Sequence, residues 1–565
     1  MVKSYREPGV WQKMRHFRLV QKCLRFFVLF SVLSSVFCLL PSQAQANNIA
    51  VSSVSLQTLD SVAGTVDIKF DVSWENSFTR TDSNGQAYFD RAWVFVKYQI
   101  GGTGAWSHAT LVSGGSVGAY STSTGTGITT DGKGAFCKPG PNQTVRWNYG
   151  TSGDNVNINA SVQVRAMAIE MVYIPQGAFS VGDGNTSTVT GQLSMTGTTT
   201  PFNIASEGAI TLGPGTGALG NRSHSGMAAP VDDFTDAAAP TASPTNLPAA
   251  FPKGYNGFYI MKYDISQGQY RDFLNTLTRA QQYTDSSHCR VGTAVPSGTT
   301  SVTNRYVMSN TTTVSYRNGI RCDATVNGTN PITFYCDLDG NGTGNEADDG
   351  EWIACNYLSW ADQCAYADWA GLRPMTELEF EKACRGTIAP VNGEYAWGAS
   401  DSPVATANYF SDLSSSSGTD DATHSYANEV IGPTRPTANC NYSPASPQGP
   451  VRCGMFATSS STRTQAGASY YGVMELSGNL WKRPVTIGQA TGRAFTGLNG
   501  DGALDSTGNA NVTGWPGTDA TGAGYRGGNW AYGASSGRVS ARSGAASVYS
   551  GRDINYGGRC VRTSP

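Results

Sequence analysis

The sequence predicts an α+β chain in two parts, an all-β sandwich domain followed by a longer, loop-rich part that carries a few short helices. Three observations predict it. Apolar residues alternate with polar ones near the N-terminus, which is the period of a half-buried strand. Three capping-box signals stand in the second part. The composition joins 67 glycines and only 14% charged residues to 12 tryptophans and 26 tyrosines, that of a loop-rich or β-rich globular protein. A formal net charge of −2 provides no field to concentrate a polyanion, so no nucleic-acid partner is expected. With 39% hydrophobic residues the chain has enough apolar surface for more than one packed core.

Residues 1–46 read as a signal peptide. Lys3, Arg6, Lys13, Arg15, Arg18, Lys22 and Arg25 precede an apolar run from Phe26 to Leu40, and an Ala-x-Ala site ends at Ala46. The run is shorter than the roughly 20 residues that span a bilayer, and no stop-transfer segment follows; an uncleaved anchor is the alternative. The expected location is secreted, periplasmic or at the cell surface, with no transmembrane segment after cleavage. Ten cysteines remain (Cys137, Cys289, Cys322, Cys336, Cys355, Cys364, Cys384, Cys440, Cys453 and Cys560). An even number in an exported chain suggests disulfides of unknown connectivity. No Cys-x-x-Cys pair or histidine cluster supports a zinc site.

Residues 47–168 are assigned to the sandwich. Val66, Ile68, Phe70, Val72 and Trp74 alternate with Asp67, Lys69, Asp71 and Ser73, and further strands are expected around Trp93–Ile100 and Val162–Ala166. Residues 169–565 form the second part, with a Gly/Thr/Ser/Ala/Pro-rich insertion at about 184–250 that reads as a long loop. Ser266 with Gln269, Ser359 with Asp362, and Thr376 with Glu379 open the three helices. Glu377, Glu379 and Glu381 fit a solvent-facing helix start better than a catalytic carboxylate pair.

A series of motifs runs through this second part: Met171–Gly177, Phe258–Ile265, Leu358–Asp362, Arg373–Glu381, Ala396–Gly398, Gly472–Trp481, Tyr525–Trp530 and Gly557–Arg559. Their order resembles the formylglycine-generating, sulfatase-modifying-factor family. That resemblance implies a C-type lectin-like fold of the formylglycine-generating-enzyme type, preceded here by the sandwich. The family's enzyme oxidises a sulfatase cysteine through a copper-binding cysteine pair, placed between the Arg-Gly-Gly motif and the closing Gly-x-Arg. No cysteine lies between Arg526 and Arg559, and alignment on Ala541–Ser543 puts Val539 and approximately Ala534 where the pair belongs. Neither side chain can replace the soft thiolate that Cu(I) needs, so copper is not expected. Where the family keeps Trp-Glu-Trp this chain has Trp481-Lys482-Arg483, and a calcium-ligating glutamate is replaced by a cation. Asn408 matches an asparagine at the family's other calcium site.

Asn529 to Tyr556 is rich in Ser, Gly, Ala, Tyr, Asn and Asp, a composition that suits a recognition surface; an ordinary glycine-rich loop is the alternative. Its place at the end of such a domain resembles the variable region of proteins diversified by retroelements. The resemblance implies solvent-facing contacts at Tyr532, Gly533, Ala534, Ser536, Ser547, Tyr549, Asp553 and Tyr556, on a scaffold of Arg526, Gly527, Gly528, Trp530, Arg542 and Arg559. Separately, Asp337, Asp339, Asn341, Thr343 and Asp348 fall at positions one, three, five, seven and twelve of a loop with Gly342 at six. This is the spacing of a calcium loop, with an acidic turn as the alternative. The expectation is thus an exported binding protein for an extracellular protein or surface ligand. A formylglycine-generating or related oxidoreductase, and a structural adhesion component, are the competing readings.

Overall fold

A computed structural model describes residues 49–102, 104–184, 189–222, 234, 245–346, 349–400, 438–442, 448–457 and 461–565. The signal-peptide reading and Asn408 fall outside these residues. The described chain is mostly sheet with few helices, of α+β type.

The alternation at Val66–Trp74 forms the strand Thr65–Ser73. Its apolar positions are buried while Lys69 and Asp71 are part-exposed and Ser73 is exposed; Asp67 is buried as well, held by Arg146 at 2.8 Å. This strand lies in a four-stranded antiparallel sheet of order Ala50–Asp60, Thr65–Ser73, Gly140–Asn148, Leu111–Val112. A second, longer sheet runs Arg373–Pro374, Cys560–Thr563, Phe258–Met261, Val162–Ile174, Ala87–Ile100, Ala135–Cys137, Gly127–Ile128. Its strand Ala87–Ile100 is buried on both faces. Ala92, Val94, Val96 and Tyr98 share a core with Val66, Ile68 and Phe70 of the first sheet. Phe89, Trp93 and Phe95 join a larger core with Tyr259, Phe273, Tyr366 and Trp369. Two-sided burial explains why apolar residues stand at consecutive positions from Ala92 to Val96 instead of alternating.

The strand Val162–Ile174 pairs with Ala87–Ile100 from Val162 to Val172, and its last four residues pair with Phe258–Met261. It therefore runs through the position of the expected 168/169 boundary, and the segments on either side share one sheet.

All three predicted helices are present, at Gln267–Leu274, Trp360–Trp369 and Glu377–Arg385, each with both halves of its capping box formed. Serine or threonine oxygens thus satisfy N–H groups that the first turn leaves free. The described part of the 184–250 insertion is not an extended loop. Leu193–Met195, Leu219–Asn221, Ile210–Leu212 and Thr245–Leu247 form a small sheet. Leu193, Leu212, Leu219, Phe234 and Leu247 pack fully buried against Leu378, Val485 and Phe495. Strands of three residues are too short to show a period in sequence. No helix among the described residues is long and apolar enough to cross a membrane.

The ten cysteines are all buried and none forms a disulfide among the described residues, so the disulfides expected from their even number are not formed here. Burial pushes Cys137, Cys322, Cys384 and Cys440 up to about 12, which keeps them protonated at neutral pH.

Candidate functional site

The C-terminal segment is held by buried ion pairs. The Thr376 cap sets the first turn of Glu377–Arg385 so that Glu377 and Glu381 point inward, where both are fully buried. Arg526 reaches Glu377 at 2.8 Å and Glu381 at 2.6 Å, and Arg542 reaches Glu377 at 2.6 Å. Arg385 pairs with Glu381 and Glu394, and Arg373 takes Glu379. The solvent-facing reading of the three glutamates is therefore corrected: they are structural, but each is buried with an arginine. Burial alone would raise the Glu377 carboxyl; Arg542 and then Arg526 outweigh it and hold Glu377 below the usual carboxylate range. Arg559 closes the far end, donating to Asp264 at 2.8 Å and to the carbonyls of Met261 and Met474.

Between these anchors the eight candidate contacts separate into two groups. Tyr532, Gly533 and Tyr549 are exposed, and Ala534, Ser536 and Asp553 are part-exposed. Ser547 and Tyr556, only 7% and 9% exposed, face inward instead of toward solvent. Tyr556 nevertheless belongs to the surface feature that the segment builds. Ring centroids run from Tyr532 to Trp481 (5.8 Å), Trp481 to Tyr525 (4.7 Å), Tyr525 to Tyr556 (5.8 Å) and Tyr556 to Tyr549 (5.1 Å). The result is a row of five aromatic rings, exposed at both ends, part-exposed at the central Tyr525 and buried at Trp481 and Tyr556. Such rings offer large contact area at small entropic cost. The fully buried Arg483 lies beneath it, 5.1 Å from the Tyr556 ring, with one nitrogen donating to the Tyr549 carbonyl. Its Nε and Nη1 have no hydrogen-bond partner, and burial pushes the guanidinium down to about 10. Trp481, Tyr525 and Arg483 lie in or beside sequence motifs but outside the predicted contact set; only the folded chain brings them beside the tyrosines.

In the acidic loop the fold adds Asp349 to two of the residues that the spacing suggests. Asp337 and Asp339 come together with Asp349, their ligand atoms within 4.8 Å of one another. Asp348 lies outside the described residues. Asn341 turns its amide to Asp339 and Glu346, and its oxygen accepts from the Thr343 N–H. Gly340 and Gly342, at φ +74° and +95°, permit the tight turn. Arg321 holds one oxygen of Asp337 at 2.5 Å. The other oxygen of Asp337 and one of Asp349 are buried without a partner. Burial, with Asp337 and Asp339 nearby, pushes Asp349 up to about 7. Three crowded carboxylates with orphaned oxygens suit a hard divalent cation.

The model of the sulfatase-modifying factor enzyme 1-like domain matches residues 159–564. The chain belongs to this family. A comparison with curated proteins finds no match. Within the sulfatase-modifying-factor domain, Val539 and Ala534, the positions that the sequence resemblance sets approximately against a copper-binding cysteine pair, are apolar. Val539 is 1% exposed and packs with Phe380 and Leu476; Ala534 lies against the cluster of Tyr395, Trp397 and Cys440. The Cys440 thiol there donates to the Ser477 carbonyl at 3.1 Å and, protonated, is no thiolate ligand. At the position of the family's calcium-ligating glutamate, the Lys482 ammonium is fully buried. It donates to the Gly478 carbonyl at 2.5 Å and lies 3.8 Å from Asp264. A fixed cation thus stands among the acidic groups Asp264 and Glu475.

Proposed function

We propose that this chain is an exported, non-catalytic ligand-binding protein whose C-terminal segment is the recognition surface, with calcium bracing the acidic loop. The observation that carries the reading is the aromatic row, exposed at Tyr532 and Tyr549 and anchored at Arg526, Arg542 and Arg559. A rigid frame under an adaptable, tyrosine-rich surface is the arrangement of a binding scaffold. The ligand class it suits is an extracellular protein or another surface-borne molecule, recognised by shape and aromatic contact in place of net charge. The resemblance to retroelement-diversified proteins adds that the exposed residues vary among copies while the anchors stay fixed. Flanking DNA tests this directly. A reverse transcriptase gene and a near-copy of the codons for Asn529–Tyr556, differing at adenines, is the expected result; their absence removes diversification from the proposal.

Two experiments test the rest. Copper-loaded protein given a cysteine-containing peptide is expected to consume no oxygen above background, and turnover would replace this reading with the oxidoreductase one. Calorimetric titration with calcium is expected to give a saturable isotherm that the double variant Asp337→Ala, Asp339→Ala loses; equal binding by both proteins would reject the metal assignment.

A further inference from the structure

A cavity of about 310 Å³ opens where the segment Asn76–Arg80 meets the segment Ser461–Met474, and its walls include Phe78, Arg80, Lys262, Arg463, Tyr470 and Met474. None of these belongs to the aromatic row or to the acidic loop. Phe78 and Arg80 precede residue 159, so one wall is built by chain outside the sulfatase-modifying-factor domain.

The three cations of the cavity differ in how they are matched. Lys262 is satisfied: its ammonium donates to Asp90 at 3.0 Å, Glu170 at 2.5 Å and the Asn76 carbonyl at 3.2 Å. Arg463 has only neutral partners, donating from Nε to the Ala468 carbonyl at 3.3 Å and from Nη2 to the Ala396 carbonyl at 2.9 Å. Its Nη1 makes no hydrogen bond and no carboxylate pairs with it among the described residues. Burial pushes this guanidinium below its usual value, and the field of the nearby Glu394, which makes no ion pair with it, does not outweigh the burial. Arg80, exposed on the strand Thr79–Thr81, lies 5.5 Å over the Phe78 ring and makes no ion pair among the described residues. Arg463 lies 5.6 Å over Tyr470, and Tyr88 links the two aromatic supports, 5.9 Å from Phe78 and 6.4 Å from Tyr470. Two guanidiniums without anions thus stand on one aromatic floor. A planar guanidinium donates in a fixed fork, which matches the oxygens of an oxyanion.

We propose that this cavity binds a phosphate or sulfate ester of a small apolar alcohol, its oxyanion between Arg80 and Arg463 and its apolar body on Phe78, Tyr470 and Met474. The three terminal oxygens of such an ester can accept from both guanidiniums at once, whereas a carboxylate offers two oxygens in one plane.

Calorimetry on the full chain tests this with phenyl phosphate, inorganic phosphate and phenol as separate probes. Phenyl phosphate is expected to bind saturably. Arg80→Glu, a change on an exposed strand, weakens it at least about tenfold, the scale of one lost charge-assisted hydrogen bond. Arg463→Gln does the same, and Arg463→Lys restores part of the loss. Inorganic phosphate binding with the same arginine dependence would support the oxyanion site and assign it to free phosphate. Three results overturn the proposal: no saturable heat from either phosphate probe at millimolar concentration, phenol binding as well as phenyl phosphate, or affinity unchanged in Arg80→Glu with a native near-ultraviolet circular dichroism spectrum.

Discussion

Replacing Arg542 with alanine removes two hydrogen bonds to Glu377, at 2.6 and 3.1 Å, and one to the Gly191 carbonyl at 2.9 Å. Glu377 keeps Arg526, the Thr486 hydroxyl and the Ile487 N–H, so its charge is not abandoned. It is fully buried, however, and a water entering the vacated space restores hydrogen bonds but not the lost positive charge. Breaking one partner out of a buried ion pair costs about 3–5 kcal/mol. The retained partners place Arg542→Ala near the lower end, about 3 kcal/mol, a large share of a typical total of about 5–15 kcal/mol. Guanidinium chloride unfolding followed by tryptophan fluorescence reads this loss. Amide exchange should quicken between Asn529 and Ser540, because Arg526 and Arg542 bracket that stretch. The pH dependence has a definite sign. Glu377 has its folded value below its unfolded one, so it contributes stability above the unfolded carboxylate range and loses it as pH falls through the folded value. Arg542→Ala should shrink that acid-side difference. A loss under about 1 kcal/mol, with unchanged exchange, would refute the claim that these pairs hold the segment.

In chelator, Asp349, raised to about 7, binds its proton more tightly folded than unfolded, so stability should fall as pH climbs from the unfolded carboxylate range through 7. Melting curves at both ends of that range check it, and saturating calcium should remove the slope. Tyr532→Ala, at an exposed ring, should leave stability within about 0.5 kcal/mol, whereas Tyr556→Ala should cost about 3 kcal/mol; equal effects in chemical unfolding would contradict the division between surface and support. A thiol reagent should label none of the cysteines from Cys137 to Cys560 in native protein and all ten after unfolding; a shortfall of two or more under denaturant would show that disulfides form.

The helices were legible because a capping box is a local pattern: Ser266, Ser359 and Thr376 each meet their partner three residues on. The strand Thr65–Ser73 was legible because only one of its faces is apolar. The buried frame was not. Glu377, Glu379 and Glu381 have an ordinary polar spacing; Arg373 and Arg385 lie close to them in sequence, but Arg526 and Arg542 stand 145 to 165 residues from the glutamates they pair with. Asp349 was missed for a related reason, since loop spacing singles out position twelve and passes over the residue after it, which the fold brings beside Asp337 and Asp339. The tyrosines were read from composition, but the rings that join them, Trp481 and Tyr525, come from other segments.

The strand Val162–Ile174 has a practical consequence. A fragment cut to begin at the family domain would keep this strand and lose Ala87–Ile100, leaving unpaired the edge from Val162 to Val172. It would also uncover Ile169 and Met171, which pack in the core beside Trp93 and Phe95. Long bare edges with apolar faces recruit other chains, so the truncated domain should precipitate or assemble more readily than the intact chain.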